Sequence, residues 1–169
     1  MSTRSLIARR QQNGNYIYVY SHSDGNSAHN GAILKHHYGT EERAKELIQQ
    51  GAISSLDVRI HPTSHRRHDF CHREDGVTTF YHRDRGEPKD VSDPVMDTQC
   101  LLDAMNRFDA EYFYLFERGG WVVASDDYWY GWKSIDEAIR LDLAGYEPDR
   151  IDVAIVWIEA LKEMPKERS

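Results

Sequence analysis

Apolar and polar positions along this chain switch between two periods, and the switches mark the elements. Residues 5–10 and 16–22 are two short runs, the second alternating with period two. In the second run Tyr16, Tyr18 and Tyr20 fall on one side, Ile17 and Val19 on the other. Aromatic and β-branched residues suit a pleated surface, so both runs read as strands. Asn13-Gly14 between them tolerates positive φ and predicts a hairpin. The period then lengthens. Residues 28–38 predict a helix closed by Gly39. Thr40 caps a second helix, whose inward face is Ala44, Leu47 and Ile48 and which Gly51 stops.

The second half repeats the mixture. Residues 52–61 predict a turn and a strand, 77–83 a strand, and 84–94 a charged loop rich in Gly and Pro. Residues 95–108 predict a helix with Met96, Leu101, Leu102 and Met105 inward. Residues 111–117 and 121–125 form the clearest hairpin, joined around Gly119-Gly120. Ser134-Ile-Asp-Glu137 is a capping box, so a helix runs to about Ala144 with Gly145 beyond. Residues 151–164 fit a strand at their start, but Ile151, Ile155, Ile158 and Leu161 also share one helix face, and the length favours a helix. The pattern predicts one α+β domain over 1–169. A small antiparallel sheet of hairpins carries helices mainly on one face, and the tail 166–169 frays.

Composition narrows the class. The 169 residues are 40% apolar and 29% charged, ordinary for a water-exposed domain. No apolar run reaches the roughly 18 residues of a membrane helix. The first residues lack the apolar core of a signal peptide. Cys71 and Cys100 are too few for a disulfide framework, so the expected location is the cytoplasm. The net charge of −7 is unevenly spread. Residues 1–85 hold 12 Lys or Arg against 9 Asp or Glu, and residues 86–169 hold 9 against 19. So acidic a chain is not expected to bind nucleic acid directly, because phosphate contacts need clustered cations.

Short motifs give a resemblance. They are Thr3-Arg-Ser5, then Tyr20-Ser-His22-Ser-Asp24-Gly25, then Gly31, Leu34 and His37-Tyr38. Leu47-Ile48, Gly51 and Ile53-Ser-Ser-Leu56 follow, and the set ends with Val77-Thr-Thr-Phe-Tyr-His-Arg-Asp-Arg-Gly-Glu87. Over about residues 3–87 the chain resembles an uncharacterised family of small proteins encoded by bacteriophages and prophages. It departs from that family at Ser23, where an aromatic residue is usual, and at Asn26-Ser27, where Tyr-Pro is usual. The resemblance implies a phage or mobile-element origin and the cytoplasm of a bacterial host. It implies no reaction. Small phage proteins of this kind bind host or anti-phage defence proteins, an analogy rather than a derivation.

Four groups of residues carry candidate chemistry. His22 and Asp24, two apart at a strand end, suit a base and its orienting carboxylate. The junction at Gly25 offers backbone N–H groups to an anion. The competing reading is an Asp-Gly turn. His82, Arg83, Asp84 and Arg85 form the second group. On a strand, His82 and Asp84 would face one way and Arg83 and Arg85 the other, and the arginines, with Arg4, could grip a carboxylate or phosphate. The alternative is an internal salt-bridge network among Arg4, Asp24, Arg83, Asp84 and Arg85.

His65, His68, Cys71 and His72 form the third group. His61, His65, His68 and His72 would share one face if the segment were helical, with Cys71 beside the last, which suits zinc. Neighbouring Arg59, Arg66, Arg67 and Arg73 oppose a cation, and a solvated basic loop is the competing reading. The fourth group is Asp126, Asp127, Tyr128, Trp129, Tyr130 and Trp132. Aromatic density among carboxylates suits a protein partner, and the competing role is core filling. The preferred reading is therefore a protein that binds a host or defence partner through residues 126–132, with no cofactor. A small enzyme or anion-binding domain on His22, Asp24, His82, Arg83 and Asp84 is the alternative, and a zinc-stabilised module the third. A second copy of the chain also stands as a candidate partner.

Overall fold

The computed structural model describes residues 2–63, 67–126 and 131–168. Strand β1 (Ser5–Arg10) turns at residues 11–15 into β2 (Tyr16–Ser21), in register from Ser5 opposite Ser21 to Arg10 opposite Tyr16. A wide first turn over Ser27–Gly31 leads into α1 (Ala32–His37). Helix α2 (Glu41–Gln49) follows, with the Thr40 hydroxyl accepting the Arg43 N–H as expected. This helical crossover returns the chain to β3 (Ile53–Ser55), which lies parallel to β2. Parallel neighbours need a connection of this length.

After β4 (Thr79–Phe80) come α3 (Tyr81–Arg85) and α4 (Thr98–Phe108). The hairpin β5 (Tyr112–Glu117) and β6 (Gly120–Ser125) precedes β7 (Lys133–Ser134). Helix α5 (Ile135–Ala144) begins at the predicted cap, where the Ser134 hydroxyl accepts the Glu137 N–H. Helix α6 (Pro148–Glu163) settles the ambiguous stretch, with Pro148 in its first turn.

Among the described residues the strands form one seven-stranded sheet, ordered β4-β3-β2-β1-β5-β6-β7. The α+β class holds, but the sheet is mixed rather than purely antiparallel, because β1–β5 and β2–β3 are parallel. Helices α1, α2, α5 and α6 cover the face that carries Ile7, Val19, Tyr114, Phe116 and Val123. Among the described helices α4, through Leu101, Ala104 and Met105, covers the face of Leu6, Ala8, Tyr18 and Phe113. No helix is long and apolar enough to cross a membrane among the described residues.

Three local expectations change. The strand expected over 77–83 pairs only at Thr79–Phe80 and then coils into α3, which ends at left-handed Gly86. Basic side chains followed by Gly are a helix-stop signal, masked here by the β-formers Thr78, Thr79, Phe80 and Tyr81. Helix α4 starts at Thr98, because the Asp97 carboxylate caps it through the Cys100 N–H. Val95 instead bridges Tyr16, and Met96 is 80% exposed. The tail is anchored rather than frayed. The Glu167 carboxylate accepts the Ile60 N–H at 2.7 Å and the His61 N–H at 2.9 Å. It also lies 2.9 Å from Arg43 Nη2, an ion pair by distance without a hydrogen bond's alignment.

The end of α6 is tied down the same way, since His37 Nε2–H donates to the Leu161 carbonyl at 2.8 Å and Lys166 reaches the His36 carbonyl. Breaking one partner of a buried pair costs about 3 kcal/mol or more. Glu167→Ala should therefore lower the unfolding free energy by about 3 kcal/mol in urea titrations. A change under about 0.5 kcal/mol would make the tail a passenger.

The cations around α1 also set a pH dependence. Burial, then Lys35, Lys166, Lys162 and His37, push the His36 imidazole from 6.5 down to about 4. The unfolded chain thus binds a proton near pH 6.5 that the folded chain refuses until about pH 4. Stability should fall as pH drops through that window. His37 shifts downward too, through burial opposed by its bond to Leu161. Urea unfolding of His36→Gln should show a shallower loss over the same window, and an identical pH profile would exclude His36 as the cause.

Candidate functional site

The loop after β2 is built by close packing. Asp24 takes a left-handed φ of 55°, so strand alternation ends before it and the expected His22–Asp24 alignment does not form. His22 Nδ1 instead shares a 2.8 Å hydrogen bond with the Tyr20 hydroxyl. Burial raises the Tyr20 phenol above its ordinary value, against the pull of Arg4. Gly25 packs onto the start of β1. Its N–H donates to the Thr3 carbonyl at 2.9 Å, and a Cβ there would sit 2.7 Å from that oxygen. The Tyr114 hydroxyl donates to the Gly25 carbonyl at 2.5 Å. The Thr3-Arg-Ser5 and Asp24-Gly25 motifs thus hold each other in place.

The helix that follows already has its anion. The Ala28 N–H donates to Asp142 Oδ2 at 3.0 Å, and Tyr112 donates to the other oxygen at 2.8 Å. Asn26 accepts the His29 N–H, and the Asp24 carbonyl accepts that of Asn30. A ligand anion would have to displace Asp142.

The second group folds into an internal network rather than an open site. Asp84 is buried and accepts the Phe80 N–H at 2.8 Å. Arg83 grips it twice, at 2.8 and 3.0 Å, and donates also to the carbonyls of Ile60 and Thr78. In α3 the strand alternation of His82 and Asp84 against Arg83 and Arg85 is lost. His82 donates from Nδ1 to the Glu87 carbonyl, and Arg85 bonds Glu87 while lying over Phe70 and Tyr81. Arg4 pairs with Asp109. No hydrogen bond or ion pair joins His22 or Asp24 to His82, Arg83 or Asp84 among the described residues.

The histidine-rich segment is not helical where it is described, so its spacing does not produce a common face. His65 lies outside the described residues. His68 is buried. It accepts the Glu74 N–H at Nδ1 and turns Nε2 toward Thr79 and Asp84, at 3.5 and 3.7 Å. Asp69 holds His72 and the Cys71 N–H, while the Cys71 thiol is exposed. His61 pairs with Glu46. Among the described residues no three His, Cys, Asp or Glu side chains are placed to hold a metal ion.

Of the aromatic-acidic group, Asp127, Tyr128, Trp129 and Tyr130 lie outside the described residues. Asp126 is exposed at the end of β6. Trp132 is half-buried and packs edge-on against Phe113, 5.8 Å between centroids, so it helps cover the α4 face.

The structure adds a cleft that periodicity alone did not mark. It holds about 490 Å³ between the 24–29 loop and α6. His29 stacks flat on Trp157 at 4.8 Å, and Arg150 lies over Tyr146 at 4.5 Å. Asp24 and Asp149 bring carboxylates to its wall. Beside it α6 exposes Val153 by 71% and Val156 by 69%. A signal was present, because residues 151–161 of α6 are apolar on more sides than one packed face needs.

Compared with protein-family profiles, curated proteins and solved structures, the chain matches none.

The internal network predicts a stability effect. Asp84→Ala leaves the Arg83 guanidinium and the Phe80 N–H without their acceptor and should cost about 3–5 kcal/mol in urea unfolding. A cost below about 1 kcal/mol would show that these groups are not interdependent.

Proposed function

We propose that this chain is a phage- or mobile-element-encoded protein that binds a host or anti-phage defence protein and modulates it. The reading is carried by one observation: α6 leaves Val153 and Val156 uncovered beside the Trp157 cleft. Burying such side chains is worth about 1.5–3 kcal/mol each, and large apolar side chains left open beside a cleft suit an interaction surface. Asp24 and Asp149 line the cleft against the single cation Arg150 among the described residues, and Asp152 precedes Val153 on α6. The complementary partner is a basic amphipathic segment, its apolar side chains seated on α6 and its cations facing these carboxylates.

This places the contact on α6 and the cleft, with Asp126 of the expected loop at the end of β6. An anion-binding or catalytic reading at the second group has less support, because Arg83 and Asp84 already bond each other and the backbone.

The test pairs wild type with Val153→Asp/Val156→Asp. A partner cross-linked in a bacterial extract is identified by mass spectrometry, purified and titrated. The double variant should keep its melting temperature and bind at least about tenfold more weakly, and added salt should weaken wild-type binding. Equal affinity of the two proteins would overturn the proposal. So would a wild-type homodimer, seen by sedimentation, that the double variant abolishes.

A further inference from the structure

On the opposite end of β1 from the Gly25 loop, a charged side chain is buried without a counter-ion among the described residues. Arg9 follows Ile7 on the face that α1 and α2 cover, and it is 8% exposed. Its Nε–H is sequestered and makes no hydrogen bond. No ion pair involves Arg9 among the described residues. An arginine keeps its charge in a protein interior, and an uncompensated buried charge is costly. The other interior arginines do not share this state, because Arg43 has Glu46 and Glu167, and Arg83 has Asp84.

Arg9 forms the floor of a cavity of about 380 Å³. The remaining wall is Gln11, Gln12 and Asn13 of the β1–β2 turn, and Glu41 and Lys45, one turn apart on α2. Among the described residues no aliphatic or aromatic residue lines it. Gln11 Oε1 is buried there and also makes no hydrogen bond. Asn13 spends its side-chain oxygen on the Asn15 N–H, which leaves its amide N–H groups to donate. The single carboxylate, Glu41, forms no ion pair with Arg9 or Lys45 among the described residues. The positive end of α2 adds to the same field.

We propose that this cavity is a binding site for a small polar oxyanion, a phosphate- or carboxylate-bearing molecule. The anion accepts from the Arg9 guanidinium and pairs with Lys45. A hydroxyl or amide of the same molecule donates to Gln11 Oε1, and the Asn13 amide donates in return. Charge-assisted bonds of this kind are about twice as strong as neutral ones, and the guanidinium fork suits both groups. The bare polar wall selects against flat apolar ligands such as a nucleobase. The site is separate from the α6 surface and does not depend on it.

The experiment uses the whole chain with inorganic phosphate and malonate as probes, each against sodium chloride at matched ionic strength. In the wild type, one or both should raise the melting temperature and shift the Arg9 Nε–H resonance in the nitrogen-15 NMR spectrum. Preference for phosphate assigns a phosphorylated ligand, and preference for malonate a carboxylate. Arg9→Met should weaken the preferred probe about tenfold or more, and Lys45→Ala by less. Without a probe, Arg9→Met should be at least as stable as wild type, the opposite of what a structural arginine would show. Should Arg9→Met fail to fold, the wild-type Nε–H shift and the Lys45→Ala titration decide. An Nε–H resonance and melting temperature that respond to neither probe would overturn the site, as would equal binding by folded Arg9→Met.

Discussion

Strand β1 is paired on both edges and covered on both faces, so Leu6, Ile7 and Ala8 lose all contact with solvent. A strand in that position must find two neighbours, because buried backbone N–H and C=O groups left unpaired are costly. The local hairpin supplies only β2. The second edge waits for β5, about a hundred residues later, and that pairing is parallel. Once β5 is in place, β6 and β7 extend one side, while β2, β3 and β4 extend the other. The helices then sort by what each face presents. Ile7, Val19, Tyr114, Phe116 and Val123 pack beneath α1, α2, α5 and α6, and the opposite face of Leu6, Ala8, Tyr18 and Phe113 is covered by α4 with Trp132 beside it.

The irregular stretch between β3 and α4 is stabilised differently. It has few ladder bonds, so buried side chains take over the pairing of backbone groups. Asp84 accepts for Phe80, Arg83 donates to Ile60 and Thr78, and His68 accepts for Glu74. The tail contributes in the same manner, since Glu167 closes the N–H groups of Ile60 and His61. The motif Tyr81-His-Arg-Asp-Arg-Gly-Glu87, chemically suggestive on paper, is largely explained by this duty. Arg9 stands apart from the pattern, as a buried charge without an ion pair among the described residues.

Much of the secondary structure was legible because its causes are local. Thr40 and Ser134 announce their helices through oxygens that reach N–H groups three residues on. The tyrosine alternation of β2 and the two hairpins read directly from period and turn residues. The candidate site was less legible. Asp24 looked like the partner of His22 until its left-handed backbone turned it toward α6. His29 and Trp157, which stack in the cleft, come from segments far apart in sequence, and no spacing rule links them.

The amino-acid sequence by itself determined which segments become strands and helices, where most of them are capped, and that the class is α+β. Those choices depend on interactions within about four residues and on burial of one periodic face. Only the tertiary structure decided that the sheet is mixed, that Asp142 occupies the helix N-terminus at Ala28, and that Glu167 rather than solvent meets Arg43. It also decided that α6 remains partly uncovered and that Arg9 lacks a counter-ion among the described residues. The physical reason is common to all of these. Charge pairing and burial act through space at a few ångströms, between residues that the chain brings together only after the sheet has formed.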